Sequence, residues 1–355
     1  MRIGVPKETK TLEGRVALVP EAAGDLVKRG HEVWLEQGAG LKSGFSDELY
    51  TRLGVNIAPD AASLYEKGEL IVKVKEPIAG DLAHLRRDHL LFCYLHLAAE
   101  PALTKQLLDI GLTGVAFETV ELPNGDLPLL APMSVIAGKI AVQVGTTLLH
   151  MPQGGKGKLL GGLPSTQRGK VVVFGAGKAG GASAALAAAG GANVTVFEMR
   201  QDRMDEMMAL GPNVTTLYPY HDVVAREVAS ADLVIGAVLV TGAKAPHVLT
   251  REMLKGMEPG SVVVDISIDQ GGCFETARPT TWKEPTYVEE GVTHFCVTNM
   301  PGSVPQTSSQ AICAAILPWV NKLASGDWRG NEALVRGINV DGGQLVHPAL
   351  QGMKL

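Results

Sequence analysis

The sequence is poor in cysteine, in aromatic residues and in net charge. Aromatic residues make up 5% of the chain, and its four cysteines are Cys93, Cys273, Cys296 and Cys313. No two of them have the C-x-x-C spacing of a metal or redox site, so we expect buried, apolar thiols. The net charge of −5 supplies no basic surface, which argues against nucleic acid as a partner.

Long apolar runs and several catalytic motifs are also missing. No apolar run approaches the roughly 18 residues of a transmembrane helix. The beginning of the sequence has no apolar segment typical of a signal peptide. We therefore expect no membrane partner and a cytoplasmic location. No H-E-x-x-H, P-loop or G-x-S-x-G motif occurs, so we expect no protein-bound metal and no kinase or hydrolase chemistry.

The composition is that of a globular chain. Apolar residues make up 46% and charged residues 19% of the 355 positions, which excludes a disordered protein. The length favours two domains with room for a sizeable core. The 42 glycines are typical of a fold with many tight turns between strands and helices.

A glycine-rich motif at 170–198 is the most informative stretch. A β-branched strand leads into Gly175-Ala-Gly177-Lys-Ala-Gly180, followed by a small-residue helix and a second strand that ends at Glu198. This order is typical of a dinucleotide-binding βαβ unit, in which the helix N-terminus binds the pyrophosphate and the acid binds a ribose. The acid would repel a 2′-phosphate and so favours NAD over NADP. A glycine-rich turn between ordinary strands is the alternative, but the two strands and the acid in register favour nucleotide binding.

The rest of the chain alternates strands and helices, which predicts parallel sheets with right-handed crossovers. Before the motif we predict strands at 2–5, 31–35, 70–74, 90–94 and 111–117 and helices at 20–29 and 47–53. After it we predict strands at 233–238, 261–266 and 294–297. Long helices are predicted at 133–150 and 307–323, and the tail at 327–355 is expected to be mostly helical or irregular.

We therefore predict an α/β protein with two Rossmann-like, doubly wound parallel-sheet domains, an interdomain cleft and long linking helices. Residues 1–130 and 306–355 form the predicted substrate domain. Residues 131–305 form the predicted NAD-binding domain.

Several polar residues follow predicted strands, where ligands of open α/β sheets bind. Each has a simpler explanation by itself: a core histidine, a solvated lysine, a surface arginine or a turn residue. Their shared placement instead indicates one binding cleft. The residues are Lys7, Arg15, Lys75, His96, Asp269 and Asn299.

Long blocks of the sequence resemble the alanine dehydrogenases. The wider family includes the nucleotide domain of proton-translocating transhydrogenases and the saccharopine dehydrogenases. The blocks cover nearly the whole chain, and they begin at Lys7, Glu13, Val72, Tyr94, Gly236, Gly242, Asp265, Asn299 and Gly342.

The resemblance implies NAD-dependent, reversible oxidative deamination of L-alanine to pyruvate and ammonium by a homo-oligomer, commonly a hexamer. It implies that Arg15 and Lys75 bind the substrate and that His96 and Asp269 are the catalytic pair. Leu129 and Met133 are our candidates for the pocket wall. The predicted NAD contacts are Ser134, Gly175, Gly177, Lys178, Ala179, Gly180, Glu198, Arg203, Val238, Leu239, Ile266, Asp269, Val297, Asn299 and Met300.

The sequence departs from the family pattern at several cofactor positions. Lys178 and Ala179 stand where valines are usual, and Glu198 replaces a more usual aspartate. Pro219 replaces a serine on the adenine side, and Val135 replaces a common glutamate.

Several alternatives stay open. Either His96 or Asp269 is the base. Rival functions are a transhydrogenase nucleotide subunit, an NAD-binding module without chemistry, and a dehydrogenase of another 2-amino acid, such as glycine or a lysine derivative.

Overall fold

The computed structural model describes residues 1–238 and 245–353. The chain divides into two compact units. The first unit is Met1–Met133 with Gly302–Leu355, and the second unit is Ser134–Pro301.

The strands are short and come mostly from buried, β-branched segments. They are β1 Arg2–Val5, β2 Glu32–Glu36, β3 Asn56–Ala58, β4 Leu70–Val72, β5 Leu90–Cys93, β6 Thr113–Ala116, β7 Lys170–Phe174, β8 Asn193–Phe197, β9 Val214–Leu217, β10 Leu233–Gly236, β11 Val262–Asp265, β12 Thr286–Glu289, β13 Val292–Phe295, β14 Ile338–Asp341 and β15 Gln344–Leu345.

The helices lie between these strands, and α1, α5 and α11 begin with the proline that favours a first helical turn. They are α1 Pro20–Lys28, α2 Asp47–Thr51, α3 Ala61–Lys67, α4 Ala79–Leu82, α5 Pro101–Ile110, α6 Ala131–Leu148, α7 Lys178–Ala189, α8 Gln201–Met208, α9 His221–Ala229, α10 Arg251–Lys255, α11 Pro305–Ala324 and α12 Glu332–Arg336.

The first unit contains an eight-stranded sheet in the order β15-β14-β6-β5-β4-β1-β2-β3. Strands β1 to β6 are parallel, whereas β14 runs antiparallel to β6 and β15 antiparallel to β14. The parallel part has the 3-2-1-4-5-6 order of a doubly wound fold. Successive strands are therefore added toward one side of the sheet up to β3 and toward the other side from β4, and this reversal of strand order between β1 and β4 places a ligand crevice at the carboxyl ends of these two strands.

The second unit repeats this order in a seven-stranded sheet, β12-β13-β11-β10-β7-β8-β9. All pairs are parallel except β12 with β13. The reversal falls between β7 and β10, beside the glycine-rich motif. The fold prediction is thus confirmed as two α/β units with parallel-dominated sheets, and each sheet has an antiparallel edge.

The prediction for the C-terminal tail holds for most of its described residues but missed a hairpin. We expected residues 327–355 to be mostly helical or irregular, and α12 with two 3-10 segments fits this, whereas β14 and β15 form a hairpin on the edge of the first sheet. These strands contain four and two residues. Such short edge strands produce almost no periodic pattern, and the same holds for β3, β9 and β12, which were not predicted.

Candidate functional site

The glycine-rich loop of the second unit has the backbone that its sequence requires. Gly175 adopts a φ of 89°, and a Cβ there would lie 2.8 Å from the carbonyl oxygen of Ala237. A Cβ at Gly180 would lie 1.8 Å from the carbonyl oxygen of Gly175, so α7 packs against the turn only with glycine there. A Cβ at Gly177 would meet no atom within 4 Å, and a ligand can approach the backbone there.

Glu198, which follows β8, is fixed to this loop. Its Oε2 accepts from the Ala176 N–H at 2.9 Å, and its Oε1 accepts from the Met199 and Arg200 N–H groups at 2.6 and 3.0 Å. Arg203 donates to the carbonyl oxygen of Ala176 at 3.3 Å. The acid and the arginine therefore flank the same turn.

An open groove of about 500 Å³ begins at this turn and continues along α7. Lys178 is exposed at the first position of α7, and Ala179 is half-buried behind it. Lys178, Arg203 and Lys139 line the groove. The groove therefore offers three cations to phosphate groups, beside one acid, Glu206, and the small apolar residues of α7.

The loops after β11 and β13 lie together. Asp269 is in the 3-10 segment Ile266–Gln270, and both of its carboxylate oxygens accept from the Asn299 N–H at 3.3 Å. Asn299 holds a left-handed φ of 56°.

The other predicted cofactor residues of the second unit include Val238, whose Cα lies 3.6 Å from the position of a Cβ at Gly175. Val297 and Met300 are buried, Ile266 is half-buried, and Ser134 lies in α6. The carbonyl oxygen of Val238 accepts from the Ser267 hydroxyl at 2.8 Å, and Leu239 lies outside the described residues.

In the first unit, Arg15 lies in the loop after β1 and is almost fully buried. Its Nε and Nη2 donate to the two carboxylate oxygens of Glu13 at 2.7 and 2.5 Å, and its Nη1 lies 3.2 Å from the sulfur of Met133. Burial alone would lower the pKa of Arg15, but the paired Glu13 carboxylate outweighs that effect and raises it. One edge of the guanidinium is thus committed to Glu13, while Nη1 faces Met133.

Lys75 follows β4, at the other side of the reversal in the first sheet. Its backbone N–H donates to Glu8 at 3.3 Å, and its ammonium lies 3.5 Å from Glu76. Glu76 also pairs with Lys10. Arg15 and Lys75 therefore follow the two neighbouring strands between which the crevice forms.

His96 follows β5, the next strand of the first sheet, and adopts a left-handed φ of 49°. Its backbone N–H donates to Glu118 at 2.6 Å, and its ring stacks on Tyr94 with centroids 5.7 Å apart. The Tyr94 hydroxyl donates to the carbonyl oxygen of Leu129 at 2.7 Å. The imidazole is 40% exposed, so it remains accessible to a substrate within this unit.

The structure thus gathers the predicted residues into two sets, each within its own unit. Arg15, Lys75 and His96 belong to the first unit, whereas Asp269 and the glycine-rich loop belong to the second. Sequence reasoning missed the acids that hold the first set, namely Glu13, Glu118 and Glu8. Only the spacing of Glu13 and Arg15, two positions apart, hinted at a pair.

Both units have a doubly wound sheet, and the second carries a dinucleotide-type turn, so the class is that of two-domain proteins with Rossmann-like folds. Two family models match, "Alanine dehydrogenase/PNT, N-terminal domain" over residues 4–137 and "Alanine dehydrogenase/PNT, C-terminal domain" over residues 141–348. The chain belongs to the alanine dehydrogenase/PNT family.

Individual relatives are similar over nearly their full length. The alanine dehydrogenase of Halomonas elongata is 48% identical and covers 99% of this chain, which covers 96% of it. A solved L-alanine dehydrogenase superposes with a TM-score of 0.95 at 46% identity and covers 99% of this chain, which covers 98% of it. A transhydrogenase from Sinorhizobium meliloti superposes with a TM-score of 0.85 at 26% identity, covering 98% of this chain and 100% of that one.

Across residues 1–238 and 245–353, no helix combines the length and the apolar character that a membrane crossing requires.

Proposed function

We propose that this chain is an NAD-dependent alanine dehydrogenase. The reaction converts L-alanine, NAD⁺ and water into pyruvate, ammonium, NADH and a proton, and it is reversible. The observation that carries the proposal is that Arg15, Lys75 and His96 follow three neighbouring strands, β1, β4 and β5, at the carboxyl edge of one sheet. The names of the similar proteins support the same reaction.

The second unit suits the dinucleotide. The turn at Gly175 and Gly177 offers backbone N–H groups at the start of α7 to a pyrophosphate, and Glu198 accepts from ribose hydroxyls. When bound, NAD⁺ supplies the acceptor for the hydride that leaves the substrate Cα. Asn299 and Asp269 hold the neighbouring loops of this unit in place.

Arg15 and Lys75 bind and orient the substrate. The Arg15 guanidinium binds the substrate carboxylate, and its bond to Glu13 through Nε and Nη2 fixes the plane in which it does so. Lys75 donates to the carboxylate or to the carbonyl oxygen of pyruvate, which stabilises the charge that develops there. Met133 lies against Arg15 and suits the wall beside a methyl group.

His96 and Asp269 move the protons. Hydride loss from L-alanine leaves an imine, which must add water and then expel ammonia. The ring nitrogens of an exposed imidazole can both accept and donate a proton, and we assign to His96 the transfer of protons to and from the carbinolamine. Asp269 stabilises the cationic intermediates or acts as the base in its place.

A spectrophotometric assay tests the function. Purified protein with NAD⁺ and L-alanine at alkaline pH should produce NADH absorbance, and pyruvate, ammonium and NADH should consume it. Arg15→Lys should lower kcat/KM for pyruvate by roughly 10- to 100-fold, because it loses the planar guanidinium. A protein that binds NADH but shows no alanine-dependent signal would be a transhydrogenase subunit or a binding module, and the proposal would be wrong.

Variants at the two candidate bases separate their roles. His96→Asn and Asp269→Asn should each lower kcat by about 10²- to 10⁴-fold. The kcat/KM for L-alanine falls toward acid pH when the base is protonated. The variant that lacks the base should lose this fall, whereas the variant at the other position should keep it. His96→Asn with near-normal turnover would contradict both assignments.

Cofactor preference depends on Glu198. We expect NAD to be preferred over NADP, because the carboxylate repels a 2′-phosphate. Glu198→Ser should lower the ratio of kcat/KM with NAD to kcat/KM with NADP. An unchanged ratio would contradict the assignment.

The sequence also supports a proposal on assembly and one on location. We expect the chain to form a homo-oligomer, as members of the family commonly form hexamers. We expect it to act in the cytoplasm. Size-exclusion chromatography with light scattering would give the mass of the assembly directly, and a monomer would contradict this part alone.

A further inference from the structure

Directly after β4, the side chain of Lys73 is buried between two carboxylates. Its Nζ lies 3.4 Å from Glu8 and 3.2 Å from Asp81, and the side chain is 1% exposed. Burial disfavours the charged ammonium, but Glu8 and Asp81 outweigh that effect and raise the pKa of Lys73. These three residues, the Lys73 triad, therefore place an ammonium group between two acids in the interior of the first unit.

The two acids of the triad also bind the backbone on either side of Lys75. Glu8 Oε1 accepts from the N–H groups of Val74 and Lys75 at 2.7 and 3.3 Å. Asp81 Oδ2 accepts from the N–H of Ile78 at 3.0 Å. The short segment that carries Lys75 is therefore held by a carboxylate at each end, and Lys73 holds both carboxylates.

Stability alone does not explain a charged residue at this position. β4 is buried at all three of its residues, and Lys73 follows them directly. Replacing a buried ion network with apolar side chains of similar volume is often neutral or stabilising in other proteins. Apolar residues at all three positions would therefore serve packing equally well, whereas an apolar residue at position 73 alone would leave Glu8 and Asp81 as buried carboxylates without a common cation.

We propose that Lys73 and Glu8 are positioning residues for Lys75, because the triad fixes the backbone from which the Lys75 side chain reaches the substrate. The inference rests on the proposed function, in which Lys75 contacts the carboxylate or carbonyl oxygen. It adds residues that act through Lys75 without touching the substrate.

Kinetics of Lys73→Met provide the first test. This variant keeps an unbranched side chain out to Cε and removes the ammonium group, so the Lys75 segment should lose its fixed position. We expect kcat/KM for pyruvate to fall by roughly 10- to 100-fold, mainly through KM, since small displacements of binding groups have effects of this size. The dissociation constant for NADH should stay unchanged, because the glycine-rich turn belongs to the other unit.

A double-mutant comparison separates positioning from general damage. If Lys73 acts through Lys75, then Lys73→Met should cause no further loss in a Lys75→Ala background. Independent losses that multiply would overturn the inference. If Lys73→Met alone fails to fold, Glu8→Gln with Lys73→Met removes one charge of each sign and should show the same rise in KM.

Lys156→Met is the matched control. Lys156 also lies between two acids, 2.6 Å from Asp232 and 2.8 Å from Glu258, but in the second unit. Its loss should lower stability and leave the KM for pyruvate unchanged. If KM for pyruvate rose equally in this control, then the loss of any lysine–carboxylate ion pair would raise KM, and the inference would be overturned.

Amide hydrogen exchange tests the positioning without any turnover. Lys73→Met should exchange the Val74 and Lys75 amides at least tenfold faster than the wild type, while amides of β7 keep their rates. Unchanged exchange at both amides would overturn the positioning inference even in an active enzyme. A wild-type protein that does not turn over alanine or pyruvate would instead overturn the proposed function.

Discussion

Glu118 accepts hydrogen bonds from two successive backbone N–H groups, and this explains how His96 holds its unusual backbone. Its Oε1 lies 3.2 Å from the Leu95 nitrogen and 2.6 Å from the His96 nitrogen. A left-handed φ at a non-glycine residue costs on the order of 1–3 kcal/mol and persists only where its surroundings stabilise it. The same carboxylate oxygen lies 3.9 Å from His96 Nδ1, so one acid fixes both the backbone and the surroundings of the ring.

Removing this acid should therefore impair catalysis through the position of His96. We expect Glu118→Ala to lower kcat by roughly 10- to 100-fold while the dissociation constant for NADH stays unchanged. Glu121→Ala is the control, because Glu121 is three residues away, is more exposed than Glu118, and pairs with Arg336 at 3.5 Å. Steady-state kinetics of the two variants measure this difference in kcat. Equal kcat values for both variants would contradict the role of Glu118.

At the scale of elements, the loop that follows β11 is closed by the last residue of that strand. Asp265 Oδ1 accepts from the Ser267 N–H at 2.9 Å. Its Oδ2 accepts from the Cys273 and Phe274 N–H groups at 2.8 and 3.2 Å. Burial raises the pKa of Asp265, although these N–H groups oppose that shift. The loop between these contacts carries Asp269.

Asp265→Asn should loosen this loop, because an amide nitrogen cannot accept from the two N–H groups at the far end. We expect a fall in kcat of about tenfold or more, with a loss of about 1–3 kcal/mol in unfolding free energy for the unsatisfied donors. Asp232→Asn is the matched control. Asp232 is also buried, but it directly precedes β10 and so lies at the amino ends of the strands, whereas Asp265 lies at their carboxyl ends. It should lose stability and keep kcat. Chemical denaturation and kinetics of both variants would show this, and equal kcat values would exclude a positioning role for Asp265.

The sequence predicted elements well where local pattern and tertiary structure agree. β7, the glycine turn and β8 carry β-branched runs and fixed glycine spacing, so their bounds followed from the sequence. The acids that hold the site residues could not be predicted from the sequence. The contact of Glu118 with His96, for example, joins positions 22 apart in sequence. Likewise, the hairpin of β14 and β15 forms only because the edge of β6 is available for pairing.

At the scale of the molecule, the same strand order occurs twice, and each unit has its own core. In the first unit, residues such as Leu91, Leu95 and Leu107 pack together, and the C-terminal hairpin of β14 and β15 completes the sheet. In the second unit, the core forms around residues such as Phe174 and Val234. Each unit also contains a buried histidine, and acid should destabilise both cores.

The two histidines are His89 in the first unit and His294 in the second. His89 Nε2 donates to the Tyr65 carbonyl oxygen at 3.0 Å, and His294 Nδ1 donates to the Val292 carbonyl oxygen at 3.0 Å. Burial lowers the pKa of both imidazoles below the ordinary value of 6.5. As pH falls below about 6.5, the unfolded chain therefore binds protons that the folded chain does not, and stability is lost.

We expect unfolding free energy to decrease between pH 7 and pH 5.5 by up to about 1.4 kcal/mol per pH unit for each histidine. His294→Gln should be less stable than the wild type at pH 7 but show a shallower pH dependence. The difference between the variant and the wild type cancels the titration of other groups. Urea denaturation at several pH values, followed by tryptophan fluorescence, measures it. A variant with the same slope as the wild type would show that His294 does not contribute to the acid sensitivity.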